Sequence, residues 1–514
     1  MLNPEPRTLN PSSDDPTFRL RQNIYWLLIC LSVGMMLGRV LAVDAVDRTA
    51  IEKDRLNRIP AELEHKQQQL ERQGIKGEEL KTALIDYDAR LRSAAQLRRP
   101  FLSANDRSRW CTVRALVEPD MRVDGAPYAI DKVIQDPNWD TIDMVKHDGH
   151  LYSSKPPFLA TLIAGVYWPI YHITGMSLAT HPFVLGRIML VIINVIPLAI
   201  CFLLLARLVE RFGTTDWGRL FVMACAAFGT FLTTFAIVIN NHLIGAVCAT
   251  ATMCAVASIW YDAQIKKRYF VLAGFFGALT AAIELPAIAL FALITAALLW
   301  KAPRQTLLAY LPAAVVVVVA FFATNWFAHG SLKIPYMHRS SGDNWYDYTY
   351  ERNGKEIESY WRHPSEIDQG ESSRATYALH MLVGHHGIFS LTPVWLLSLI
   401  GIFMSLWPTR DYRLRHWAIL IGSVSLICIV FFLLRPLNQR NYGGMTSGFR
   451  WMFWLAPLWL VSMLPAVDML SKRRWTRAIA LLLLIFSVLS ASYPIWNPWT
   501  HPWIMDYLKY LSGN

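Results

Sequence analysis

The stretch Lys155-Pro-Pro-Phe-Leu-Ala-Thr-Leu-Ile-Ala-Gly-Val-Tyr-Trp-Pro-Ile-Tyr-His-Ile-Thr174 decides how the rest of the chain is threaded. Its apolar part, 157–174, is marginal for a membrane span, since a crossing helix needs about 20 apolar residues. A lysine and two prolines stand where water would meet hydrocarbon. Two readings are open. Lys155 anchors a helix end by snorkelling while Pro156 and Pro157 start the helix, or Lys155 holds an anionic headgroup at the membrane surface.

Outward from this stretch, long apolar runs dominate a chain of 514 residues that is 54% hydrophobic. That composition indicates a polytopic membrane protein. The net charge of +11 is spread in short basic clusters between apolar runs, the pattern of cytoplasmic loops, and argues against nucleic acid as a partner. Of seven cysteines, all but Cys111 lie in apolar segments, which excludes a disulfide framework and any CxxC metal cluster. The first apolar run, 24–43, lacks a small-residue cleavage site and reads as a retained anchor.

Spanning-length runs occur at 24–43, 185–206, 220–239, 243–260, 269–284, 286–300, 305–327, 387–407, 417–434, 451–470 and 476–493. The basic clusters are Arg7/Arg19/Arg21, Arg207/Arg211/Arg219, Lys266/Lys267/Arg268, Lys301/Arg304, Arg410/Arg413/Arg415 and Lys472/Arg473/Arg474/Arg477. All of them fall on the cytoplasmic side only if 157–174 does not cross. The expectation is therefore about 11 spans and a re-entrant or juxtamembrane helix at 155–174. Residues 1–23 form a cytoplasmic segment, 24–43 the first span, and 44–184 an extracytoplasmic loop. Spans fill 185–327 and 387–493, flanking an extracytoplasmic loop at 328–386, and 494–514 is an extracytoplasmic tail.

This threading gathers the polar residues on one face. Residues 47–98, broken at Gly74-Ile-Lys-Gly77, read as a helical hairpin kinked at Pro60, either a solvated spacer or a binding surface for a protein partner. In 105–118, Trp110, Val113 and Val117 share one helical face, which suits an amphipathic helix lying on the bilayer. Asp106 in its first turn is either a plain cap or a chemical group. Asn353-Gly354 between strand formers signals a small β-hairpin. The adjacent His385 and His386 point apart, which disfavours paired metal ligation. Glu284, between two apolar runs, is cheapest at an interfacial turn. Arg450, after the glycines of Asn441-Tyr-Gly-Gly-Met-Thr-Ser-Gly-Phe-Arg450, either anchors a helix or grips a phosphate.

Together these pieces resemble the class C (GT-C) glycosyltransferases that use polyprenyl-phosphate-linked sugars, in particular the aminoarabinose transferase and protein O-mannosyltransferase group. That group carries an Asp-Glu pair in its first extracytoplasmic loop and later a Lys-Pro-Pro motif. Asp106-Arg-Ser-Arg-Trp110 resembles the first and Lys155-Pro-Pro157 the second, while Asn441-Tyr-Gly-Gly444 with Arg450 looks like the Gly-rich, arginine-bearing start of a late span. Arg107 stands where the group has Glu, 47–98 looks like an insertion, and the Glu284 region replaces a lysine often found in a later turn.

The resemblance implies an all-α, GT-C-like fold in the cell (inner) membrane with its active site facing outward. It implies Asp106 as general base, inversion at the sugar C1, and Lys155, Arg450 and Arg109 on the donor phosphate. Glu284, His242, Tyr152, His385, His386, Asn441 and Tyr442 are implied substrate-binding residues. The partners are then a polyprenyl-phosphate-linked sugar, the bilayer, and an acceptor that is a glycan, lipid or protein. No cofactor is assigned, and a divalent metal ion is left open. A lipid-linked sugar flippase, favoured by polar residues deep in spans, and a non-catalytic scaffold of GT-C-like fold are the competing readings.

Overall fold

A computed structural model describes residues 16–42, 48–96, 103–340, 342–352, 354–407 and 414–512. The segment 1–15 with Arg7, the outer residues of the 47–98 hairpin, Asn353 and the Arg410/Arg413 cluster lie outside the described residues. The chain is a helical bundle capped at one end by the loops 103–156 and 330–387.

Helices occupy each of the eleven apolar runs, but they do not amount to eleven full spans. Among the described residues seven helices are long and apolar enough to cross a membrane, or eight if Arg450–Ser462 and Leu464–Leu470, bent by 46°, make one span. Lys267–Ile283, at 17 residues, and the apolar helices Leu285–Lys301 and Trp395–Leu406 are shorter. The count of eleven rested on apolar runs, some of which form helices shorter than a full span. The first helix also starts earlier than expected, at Pro16.

Local sequence explains the irregular turns. A proline lacks the N–H that would bond four residues back. The long helices Pro182–Phe212 and Pro303–His329 each absorb one with a π turn, at Val191–Val195 before Pro197 and at Thr306–Tyr310 before Pro312. The segment 229–240 is broken, and amides satisfy its free carbonyls. Asn194 Nδ2 donates to Ala236 O and Val238 O, both at 2.9 Å, and Asn240 Nδ2 donates to Phe235 O at 2.9 Å. Asn240 Oδ1 also accepts from Leu243 N and so caps the helix Asn241–Trp260.

Small residues let the helices approach, as bilayer packing requires. A side chain at Gly274 would collide with the Tyr310 carbonyl, and one at Gly401 with the Ser462 carbonyl. The end of the bundle away from the loops is tied by charge. Arg21 reaches Glu210 at 2.6 Å and Asp216 at 2.5 Å, Tyr25 donates to Glu210 at 2.7 Å, and Asp468 accepts from Thr214 and Thr215.

The loop end holds more strand than one hairpin. Among the described residues three two-stranded antiparallel ribbons occur, Met144–His147 with His150–Ser153, Arg339–Ser340 with Asp343–Asn344, and Thr349–Arg352 with Lys355–Glu358. Two antiparallel helices, Arg48–Arg72 and Glu78–Ala95, form the charged hairpin, and the first runs through Pro60. It touches the ribbon at Lys355, 3.6 Å from Glu62.

Candidate active site

The helix Ala104–Val117 begins in a capping box: Ser103 Oγ accepts from the Asp106 N–H, and Ser103 N–H donates to Asp106 Oδ1 at 3.0 Å. The expected amphipathic helix on the bilayer surface is not what forms. Trp110, Cys111, Val113 and all three arginines of this helix are buried. Helix Pro157–Thr174 packs on it, as does the His150–Ser153 strand. Its charges are paired inside: Arg114 Nη2 lies 2.8 Å from Glu118, which also accepts from Tyr167 Oη at 2.9 Å. Arg107 Nε donates to the Asp140 carbonyl at 2.7 Å. The arginines find interior partners, Arg107 across the loop at Asp140 and Arg114 one turn on at Glu118.

Asp106 is 1% exposed. Burial pushes its carboxyl up to about 6, against the pull of the Arg107 guanidinium and of backbone N–H groups.

The ribbon Met144–Ser153 delivers the next two charges. Asp148 (φ 49°) and Gly149 (φ 82°) form its two-residue turn, the left-handed pair that Asp-Gly favours. Its register pairs Met144 with Ser153, so the residues just beyond it are opposed: Ser154 N–H donates to Asp143 O at 3.0 Å. Ser108 Oγ on the buried helix donates to the same carbonyl at 2.7 Å. Lys155 Nζ then lies 3.0 Å from Asp143 Oδ1. Burial alone would raise the Asp143 carboxyl; Lys155, with Arg450 and Arg109 nearby, holds it below the ordinary carboxylate range. Lys155 is therefore a buried ion-pair partner in this structure rather than a snorkelling anchor.

A second chain of contacts joins the spans to this loop. Arg109 Nη2 donates to Asn241 Oδ1 at 2.9 Å, and Asn241 Nδ2 donates to Glu284 Oε1 at 2.9 Å. His242 Nδ1 lies 2.6 Å from that same oxygen, and His242 Nε2 lies 2.9 Å from Arg450 Nη1. Arg450 Nε and Nη2 both donate to Gly443 O, at 3.0 and 2.7 Å, and the guanidinium sits 4.9 Å over the Trp499 ring. Glu284 stands at the break after helix Lys267–Ile283, is 3% exposed, and belongs to a buried network. The cost of burying it is offset by the two N–H donors.

The loop at 440–444 is shaped for Arg450. Tyr442, Gly443 and Gly444 have φ of 57°, 104° and 79°, and a Cβ on Gly443 would stand 2.9 Å from Arg450 Nε. Gly443→Ala is expected to displace the guanidinium and to destabilise the protein by about 1.5–3 kcal/mol, in keeping with the loss of a hydrogen bond to a charged group. An unchanged thermal melt of the Gly443→Ala protein would contradict this.

Asp106, Arg109, Lys155, His242, Glu284 and Arg450 are thus gathered at one end of the bundle. Other candidates make contacts of their own. Tyr152 stacks on His147 at 4.3 Å beside His329. His385 and His386 pack with His380 and Tyr442, and Asn441 donates to Asp368 at 2.5 Å. These brace loops. Among the described residues no group of three or more His, Cys, Asp or Glu side chains is placed to hold a metal ion. Local sequence marks neither Gly443 nor Asn241 as a link, and marks Asp143 as the partner of Lys155 by one sign alone. The Asp148-Gly149 turn between alternating residues was the signal that would have set Asp143 against Lys155.

No curated protein matches the chain. The oligosaccharyltransferase of Archaeoglobus fulgidus, in its apo form, resembles it with a TM-score of 0.38 and 13% identity over 81% of this chain and 55% of that one. The chain spans about half the length of that enzyme. The model of glycosyltransferase family 87 matches residues 166–436, a stretch that holds Asn241, His242 and Glu284 and stops short of Asp106, Asp143, Lys155 and Arg450. This agrees with the resemblance to class C glycosyltransferases drawn from the short motifs. The match takes in more than half of the chain, and this multi-pass membrane protein belongs to glycosyltransferase family 87.

Proposed function

We propose that the enzyme transfers a sugar from a polyprenyl-phosphate donor to an extracytoplasmic acceptor, inverting C1, with Asp106 as general base. The observation that carries this reading is the meeting of three buried cations, Arg109, Lys155 and Arg450, around acidic side chains at one end of the bundle. A phosphodiester donor carries one negative charge. As the C1–O bond breaks, the electron pair goes to the leaving polyprenyl phosphate, whose charge grows toward two. Lys155 and Arg450, with Arg109 behind them, offset that growth. The acceptor hydroxyl or amine gives its proton to Asp106 and attacks C1 from the opposite face.

Of the two loop acids, Asp106 is the better base. Its raised carboxyl holds a proton more firmly than Asp143, which the cations keep ionised. The sign follows. Asp106 must be deprotonated to act, so kcat/KM should fall as pH drops through about 6 and level off above it. A pH profile flat from 5 to 8 would count against Asp106.

Few polar side chains lie deep in spans, which favours an enzyme over a flippase. Cells lacking the protein should accumulate one polyprenyl-phosphate-linked sugar and lose it from an envelope glycan, lipid or protein. Loss of no glycosylated product, with the lipid-linked pool unchanged, would overturn the proposal.

The reading places the loop end of the bundle outside the cell and the Arg21–Glu210–Asp216 end in the cytoplasm, in line with the basic clusters there. Single cysteines at Glu356 and Lys472, in a background without the native ones, test this. Glu356→Cys should react with an impermeant reagent from outside and Lys472→Cys only from inside. The reverse pattern would invert the topology.

A further inference from the structure

Arg450 is held on two of its edges. A guanidinium has five N–H donors. Nε and one hydrogen of Nη2 go to Gly443 O, and one hydrogen of Nη1 goes to His242 Nε2. Two N–H bonds, one on each terminal nitrogen, remain. They suit a bidentate oxyanion.

What fixes this orientation is the state of His242. A guanidinium only donates, so Nε2 turns a bare lone pair toward Arg450. Nδ1 then carries the ring hydrogen, facing Glu284 Oε1 at 2.6 Å. Glu284 cannot swing away, because Asn241 Nδ2 holds the same oxygen. Gly245 makes room for it, since a Cβ there would stand 2.6 Å from Glu284 Cγ. Asn240 caps this helix and fixes its start.

From this geometry we infer that His242 and Glu284 are positioning residues, which hold the Arg450 guanidinium with its outer fork presented to the donor phosphate rather than touching the sugar themselves. The inference rests on the donor-phosphate role of Arg450 proposed above. The carboxylate sets the imidazole tautomer, and the imidazole sets the guanidinium, as outer partners orient ligands in metal sites.

The test compares two amides at position 242 in the purified full-length protein. The His242→Asn amide reaches about as far as Nδ1 and keeps a partner for Glu284, but stops short of Arg450. The His242→Gln amide reaches about as far as Nε2 and can accept from Arg450. Binding of polyprenyl monophosphate is measured against binding of a polyprenol of the same length, with a thermal melt for folding. We expect His242→Asn to weaken the phosphate by about tenfold, His242→Gln to stay within about threefold of the parent, and polyprenol binding to be unchanged in both. Adding His242→Asn to Arg450→Gln should cost nothing further, because the interaction it supports is already gone.

A purely structural role predicts Asn to be at least as good as Gln and additive with Arg450→Gln. Either result overturns the inference, as does a tenfold loss in a folded His242→Gln protein. If Arg450→Gln weakens the phosphate and His242→Asn does not, the inference fails while the donor site stands. Should Arg450→Gln itself bind polyprenyl monophosphate like the parent, the donor-site reading fails and the inference with it.

Discussion

Asp106→Asn should fold, bind donor and turn over about 10²–10⁴-fold more slowly than the parent, the usual contribution of a positioned base. The substitution separates the two roles of the side chain. Its Oδ1 accepts from the Ser103 N–H, and an asparagine oxygen can do the same, so the capping box and the helix start survive. An amide cannot take the acceptor's proton. Sugar transfer from a radiolabelled lipid donor in membranes, beside a thermal melt, gives both readouts. Near-parental transfer by folded Asp106→Asn would remove Asp106 as base and turn attention to Asp143, which the cations already surround.

The second large effect concerns the donor phosphate. Arg450→Gln and Lys155→Gln are each expected to weaken polyprenyl monophosphate by about 10- to 100-fold, the worth of a charge-assisted contact in a buried site. Lys155 needs a further control, because it also pairs with Asp143 at 3.0 Å. Removing one partner of a buried ion pair costs about 3–5 kcal/mol, since the other charge is left behind. Lys155→Gln should therefore lower both stability and affinity. Lys155→Gln with Asp143→Asn leaves neither charge, and should regain most of the stability without regaining the affinity. If affinity returns along with stability, Lys155 serves the fold and not the donor.

Charge and hydropathy made the class of fold legible in the sequence. Runs of apolar residues separated by basic clusters placed the helices, and the strand formers on either side of Asn353-Gly354 pair as Thr349–Arg352 with Lys355–Glu358. Two things were hidden. Span length depends on where a helix stops, and the buried turn at Glu284-Leu-Pro286 looked like any interfacial turn until His242 and Asn241 were seen beside it. Arg107 and Arg109 on one short helix gave no sign of their burial, because their partners Asp140 and Asn241 come from segments that only the fold brings near.

For the site, motif reading supplied the members but not the wiring. Lys155 and Arg450 stood out as cations at helix starts. The Asp148-Gly149 turn was the local cue to Asp143 meeting the first across a ribbon, but nothing local to Arg450 indicated that His242 would grip it. The link from His242 to Arg450 spans 208 positions in sequence, and short-range patterns carry no information about it.

Purified protein in liposomes, supplied with polyprenyl-monophosphate-linked sugars of known anomeric configuration and an envelope extract from cells that lack it, tests the central claim most directly. The account predicts a product formed from the lipid-linked sugar, with the opposite configuration at C1, and none from the corresponding nucleotide sugar. A product of retained configuration, or one made only from the nucleotide sugar, would contradict it.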